Sequence, residues 1–197
     1  MNTLYPSASS RPLTRRWFST RELVLAGMFA AVMTIISQIS IPMPTGVPLT
    51  IQVFGVALIG VVLGWRLGTF TILVYILLGA VGAPVFSSFH GGIGILLQLT
   101  GGYIWSWPFM ALLCGIQPPF KNRHASLGTR ILLSLLGLVI VEMIGAFQWA
   151  FLTDGMSLKA ILLYSAVAFI PKDILITVLA VIIGLPIRKN MARTFHS

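Results

Sequence analysis

The chain has 197 residues, 57% of them hydrophobic and 9% charged, with a mean hydropathy of +0.96 and a formal net charge of +9. That profile excludes the ordinary soluble classes and fits a polytopic helical membrane protein. A single cysteine, Cys114, excludes an internal disulfide and a cysteine-based zinc site.

Residues 1–21 form a polar segment carrying Arg11, Arg15, Arg16 and Arg21 with no acid. Its Ser/Arg content is that of a transit peptide, but the same residues anchor a cytoplasmic N-terminus, and that reading is preferred. A single membrane domain is expected over 22–188 and a cytoplasmic tail over 189–197. The first predicted span is Glu22 to Ile41, about the 20 residues that a hydrocarbon core demands. Ala26 and Ala30, with Gly27 and Ala31 beside them, place small residues one turn apart where another helix can approach. IPMPTGVPLT is a loop by its prolines and glycine.

A shorter second span is expected from Leu49 to Gly64 and a third from Leu67 to Val85. Gly60, Gly64 and Gly68 mark a close-packing face, open to internal packing or to a separate protein. A fourth span ends near Ile116. QPPFKNRHASLGTR reads as a loop, and Ile131 to Leu152 as the fifth span. The remaining apolar stretch is broken at Phe169-Ile170-Pro171-Lys172-Asp173. Proline belongs in the first turn of a helix, so Ser157–Phe169 reads as a short interfacial helix and Pro171–Ile187 as the sixth span. The expected fold is thus all-α, with six transmembrane helices.

Charge sets the orientation. Of thirteen Lys and Arg residues, eleven fall on the N-terminal side, leaving Lys159 and Lys172 on the other. This asymmetry puts both termini in the cytoplasm of a multi-pass cell-membrane protein. It also absorbs the basic excess, so no nucleic-acid partner is expected.

Between the third and fourth spans lies Phe86–Tyr103, FSSFHGGIGILLQLTGGY, with five glycines, two serines, a threonine, a glutamine and a histidine. Irregular backbone near membrane depth is tolerated only where it is buried in protein or lines a cavity. With the topology above, this stretch, Pro42–Gln52 and Pro171–Asp173 share the outer face. Candidate ligand-binding residues are Thr50, Gln52, Phe86, Gly91, Gly92, Thr100, Gly101, Tyr103, Lys172 and Asp173. Phe54, Tyr75, Phe89, Trp105 and Trp107 are further candidates for an apolar wall, although the two tryptophans fit an interfacial belt equally. His90 stands alone, so no metal is expected. Glu142 lies mid-span and faces the bundle interior, as a proton or cation site or as a carboxyl kept neutral. No HExxH, GxSxG or P-loop is present and no catalytic set can be assembled. No cofactor is implied, and the chain reads as a substrate-binding subunit, not an enzyme.

These residues resemble a known family. Val47-Pro-Leu-Thr-Ile-Gln-Val-Phe-Gly with Leu63-Gly, then Leu78-Gly-Ala-Val-Gly-Ala-Pro-Val-Phe, Gly91-Gly-Ile-Gly and Thr100-Gly-Gly-Tyr, and finally Phe169-Ile-Pro-Lys-Asp, are similar to the motifs of the BioY family. That family comprises the biotin-binding S components of energy-coupling-factor transporters. The resemblance implies an S-component-like bundle with a biotin site closed by outer loops. It also implies coupling, through small residues such as Ala26 and Ala30, to a transmembrane T component driven by two ATPases. Some members occur without such partners, leaving a solitary, homo-oligomeric transporter as an alternative. Three places depart from the family pattern. Gln98 and Leu99 stand where Gly-Pro precedes the Thr-Gly-Gly-Tyr motif, Val53 where a second threonine follows the glutamine, and Ile176 where a lysine follows the aspartate by three. Lys172, four residues before Ile176 and on nearly the same helical face, is the candidate replacement. Outside biotin, the residues leave open another vitamin or precursor, an intramembrane enzyme using Glu142 and Asp173, or a ligand-free scaffold.

Overall fold

The computed structural model describes residues 18–117, 123–153, 155 and 157–196. The expected N-terminal anchor therefore lies almost entirely outside the described residues, as do 118–122 of the expected loop before the fifth span. The elements are α1 (Thr20–Ser37), a two-residue hairpin of β1 (Ser40–Ile41) and β2 (Leu49–Thr50), α2 (Gln52–Ala80), α3 (Ile93–Leu96), α4 (Gly101–Gly115), α5 (Arg123–Leu152), α6 (Leu158–Ala168) and α7 (Ile170–His196). Among the described residues, four helical segments, Thr20–Ser37, Gln52–Ala80, Ser126–Leu152 and Ile170–Met191, are long and apolar enough to cross a membrane.

The start of α1 is fixed by a capping box: the Ser19 hydroxyl accepts from the Glu22 amide, and the Glu22 carboxylate accepts from the Ser19 amide. Toward α2 this helix buries Ala26, Ala30, Met33 and Ser37. Its other faces leave Val24, Met28, Val32 and Ile35 exposed, as expected of a helix bathed in lipid.

α2 is a hairpin of two helical limbs. Gly64 adopts φ +83° and ψ 169°, a conformation that breaks the helix and that only glycine takes without strain. A Cβ on Gly68 would lie 2.9 Å from the Cα of Gly60. Eight residues of straight helix would separate those positions by about 12 Å, so the chain has doubled back. The expected second and third spans are these two limbs, and Gly64 is their turn. Gly60 and Gly68 bring the limbs together, and Gly60 also meets Cys114 and the carbonyl of Ala111 on α4. The glycine face serves internal packing.

α4 packs on α5 through further glycines. A side chain at Gly102 would strike Gly145 and the Ile144 carbonyl, and Gly145 is covered by the Tyr103 ring. The fifth helix begins at Arg123, eight residues before the expected start, because the Arg123–Arg130 segment read as loop is helical. α6 is capped by Ser157, whose hydroxyl accepts from the Ala160 amide. Phe169, whose amide reaches back to Ser165, separates α6 from α7. α7 runs on to His196, so the expected tail continues the helix among the described residues.

The two ends of the bundle differ. At one end, Gly115 on α4 meets Gly64 and Trp65, and Arg188 on α7 donates to the carbonyl of Val61 at 2.8 Å. The opposite end holds the β1–β2 hairpin, the glycine-rich segment and the start of α7.

Candidate functional site

The three unusual polar segments converge on one cavity of about 430 Å3 at that second end. Its wall takes Pro42, Val47, Thr50 and Gln52 from the first segment, Phe86, Ser87, Gln98 and Thr100 from the second, and Lys172 and Asp173 from the third, with Phe169 just before it. Tyr103, Ile104 and Trp107 of α4 and Val141 and Glu142 of α5 form the deep side.

The roof is held to α1. Gln38, which caps that helix, accepts from the Phe89 amide at 2.8 Å and donates to the Phe86 carbonyl at 3.2 Å. Ser88 and Phe89 both sit at φ 57°, a left-handed conformation costing non-glycine residues roughly 1–2 kcal/mol each. The Gln38 amide group holds them there. Beneath, the Tyr75 hydroxyl donates to the Val85 carbonyl and pairs with the Ser37 hydroxyl, both at 2.7 Å. Phe86 is buried edge-on against Tyr75, with ring centroids 5.7 Å apart, and its ring covers Gly79. Only a residue without a Cβ fits under that ring.

The charged corner lies at the start of α7. Lys172 Nζ donates to Asp173 Oδ1 and to the main-chain carbonyl of Thr50. Asp173 is buried and Lys172 half-buried, so the pair is partly shielded from water, where charge-assisted bonds are strongest. Pro171 stands in the first turn, where its missing N–H costs nothing.

Of the residues singled out in the sequence, Thr50, Gln52, Phe86, Thr100, Tyr103, Lys172 and Asp173 line the cavity. Gly91, Gly92 and Gly101 do not. Gly91 packs against the carbonyls of Gly82 and Ala83, Gly92 donates to the Gly79 carbonyl at 2.7 Å, and Gly101 abuts the Leu96 carbonyl and Gln148. Each allows backbone to approach backbone, which shapes the roof. Ala26 and Ala30 are buried inside this chain's own bundle, and the small residues facing outward on α1 are Gly27 and Ala31. Trp107 belongs to the cavity wall, whereas Trp105 and Phe89 are exposed. Of the positions departing from the family pattern, Val53 and Gln98 reach the cavity and Leu99 and Ile176 do not. Among the described residues no group of His, Cys, Asp and Glu is placed to hold a metal ion.

Val141, Ile104 and Phe169 are among the wall residues that sequence reasoning did not assign, and Glu142, expected to face the bundle interior, was not expected among the ligand-binding residues. A helical period places Glu142 inside, but only the contact of α4 with α5 shows that it opens on this space.

The pattern of the BioY family matches residues 8–193. A probable biotin transporter BioY from Pyrococcus horikoshii is 37% identical over 170 residues, covering 86% of this chain and 98% of the relative. The biotin transporter BioY of Thermotoga maritima is 36% identical over 172 residues, covering 86% and 96%. The fold is similar to the crystal structure of the S-component for biotin from an ECF-type ABC transporter, with TM-score 0.73 and 28% identity over 86% of this chain and 91% of that one. With a family match across nearly its whole length and the corresponding fold, this chain belongs to the BioY family.

Proposed function

We propose that this chain is the membrane-embedded biotin-capturing subunit of an energy-coupling-factor transporter: a transport component, not an enzyme. The observation that carries the reading is the Lys172–Asp173 pair opening into a cavity walled by Phe86, Trp107, Ile104 and Val141. Biotin offers an apolar bicycle and chain, a ureido group and a carboxylate. The volume falls in the usual range for small-molecule sites, roughly 300–1,000 Å3. Asp173 accepts a ureido N–H, while the Lys172 ammonium or nearby main-chain amides meet the ligand carboxylate. Thr50, Gln52, Thr100 and Tyr103 supply the neutral polar contacts.

In the membrane, α1, the two limbs of α2, α4, α5 and α7 make six crossings, and α6 lies at the interface. The distribution of Lys and Arg supports both termini in the cytoplasm and the cavity on the outer side. A T component with two ATPases then drives delivery inward, and the small outward residues Gly27 and Ala31 provide its docking stripe on α1.

Calorimetric titration of the detergent-purified chain with biotin and dethiobiotin tests the reading. Saturation by biotin below micromolar concentration is expected. Absence of heat with biotin, together with binding of another vitamin, would overturn it.

A further inference from the structure

Glu142 is 5% exposed, lines the cavity, and carries a carboxyl oxygen, Oε2, without a hydrogen-bond partner among the described residues. It lies within electrostatic reach of Asp173, Lys172 and Tyr103. The Tyr103 hydroxyl lies beside it, with the Ser165 hydroxyl as its neighbour on α6. Among the described residues, the ammonium in the cavity wall, that of Lys172, is already committed to Asp173 and to the Thr50 carbonyl. Among the described residues the wall thus sets the carboxyl groups of Glu142 and Asp173 against the occupied ammonium of Lys172, with His90 at the roof, and has acceptor capacity to spare. Leaving a buried acceptor unsatisfied costs about 1–3 kcal/mol, more for a charged one. A ligand that brings a donor to Glu142 removes that cost on binding.

We propose that Glu142 is a ligand-contacting, specificity-determining residue that accepts one N–H of the bound ligand's ureido ring while Asp173 accepts the other. The inference rests on biotin being the ligand and adds what the site demands of it: a cyclic urea with both nitrogens bearing hydrogen. Glu142 rises from α5 and Asp173 from α7, so the ring is gripped from two separate helices. A ligand with one N–H blocked leaves one carboxyl group unpaired and adds a methyl where the acceptor stands.

The test is a ligand-by-variant cycle on the full-length protein in detergent, titrating biotin and its two mono-N-methylated forms into wild type, Glu142→Leu and Glu142→Gln. Wild type should bind each methylated form at least about tenfold more weakly than biotin, the scale of a charged hydrogen bond. Glu142→Leu should lose that discrimination for one nitrogen and keep it for the other. Unchanged discrimination at both nitrogens, or equal loss at both, overturns the assignment. If the leucine variant does not fold, Glu142→Gln decides: its weaker acceptor should reduce discrimination at one nitrogen only, and equal behaviour with wild type rejects the proposal. Failure of wild type to bind biotin overturns the biotin reading itself, a result distinguishable from wild-type binding with unaltered selectivity in the variants.

Discussion

The Lys172 ammonium donates to the main-chain carbonyl of Thr50, 122 positions earlier, and so ties the first turn of α7 to the strand leading into α2. A second bond, to Asp173, makes the same lysine the charge partner of a buried carboxylate. One side chain thus closes a wall of the cavity and stabilises its acid.

Lys172→Ala should lower biotin affinity about tenfold or more and reduce stability by roughly 1–3 kcal/mol, because Asp173 is left buried without its cation. Lys172→Ala/Asp173→Ala should recover part of the stability but none of the affinity. Thermal unfolding without ligand and calorimetric titration check the two halves separately. Unchanged affinity in Lys172→Ala would end the idea that this lysine replaces the cation missing at Ile176.

Gly64→Ala should destabilise the protein by about 1–2 kcal/mol, since φ is +83° and the new Cβ would stand 2.9 Å from Arg188 Nη2. Gly94→Ala is the control, because nothing lies within 4 Å of a Cβ there. Comparable denaturation midpoints for the two variants would contradict the account of the hairpin turn.

Removing the roof's attachment should be felt in kinetics. Gln38→Ala deletes the two hydrogen bonds that reach the roof, of typically 0.5–1.5 kcal/mol each, one to the strained Phe89 and one to Phe86, along with a bond to the Thr34 carbonyl. Biotin release should quicken about tenfold, and hydrogen exchange at Phe86–His90 should rise while that of α4 stays unchanged. Release at the wild-type rate would show that another contact holds the roof.

The two small-residue stripes of α1 should separate cleanly. Ala30→Leu overpacks the core and should cost about 1–3 kcal/mol of stability. Gly27→Leu meets open space within this chain, so its folding and biotin binding should be unaffected. Co-purification with a T component should be lost in the Gly27 variant, and retention there would move the docking face elsewhere.

Breaks in the chain were legible because they are local chemistry. The Phe169–Asp173 junction and the run of prolines after Ile41 each announce a break without reference to any neighbour, and the span boundary expected at Gly64 falls where the chain turns. Facing was harder. Ala26 and Ala30 differ from Gly27 and Ala31 by one position, and on a helix apolar all round no periodicity distinguishes the buried stripe from the lipid-facing one. Glycine was ambiguous for a related reason: at Gly91, Gly92 and Gly101 it admits neighbouring protein atoms, and the same residue type would equally admit a ligand. Trp107 and Trp105 are two residues apart in one helix, hence on nearly opposite faces, and only the packing of α4 on α2 and α5 decides which one meets the cavity.

The Gln38 and Tyr75 latches have a mechanical consequence. The roof hangs from the end of α1 through the side chain of Gln38, and the Tyr75 hydroxyl, which pairs with Ser37 there, also holds the roof's leading edge at Val85. It cannot lift without severing those bonds or dragging that terminus along. A displacement of the first helix would therefore reach the cavity's roof as a tug on a short tether, directly through Gln38 and, by way of Ser37, through the buried Tyr75.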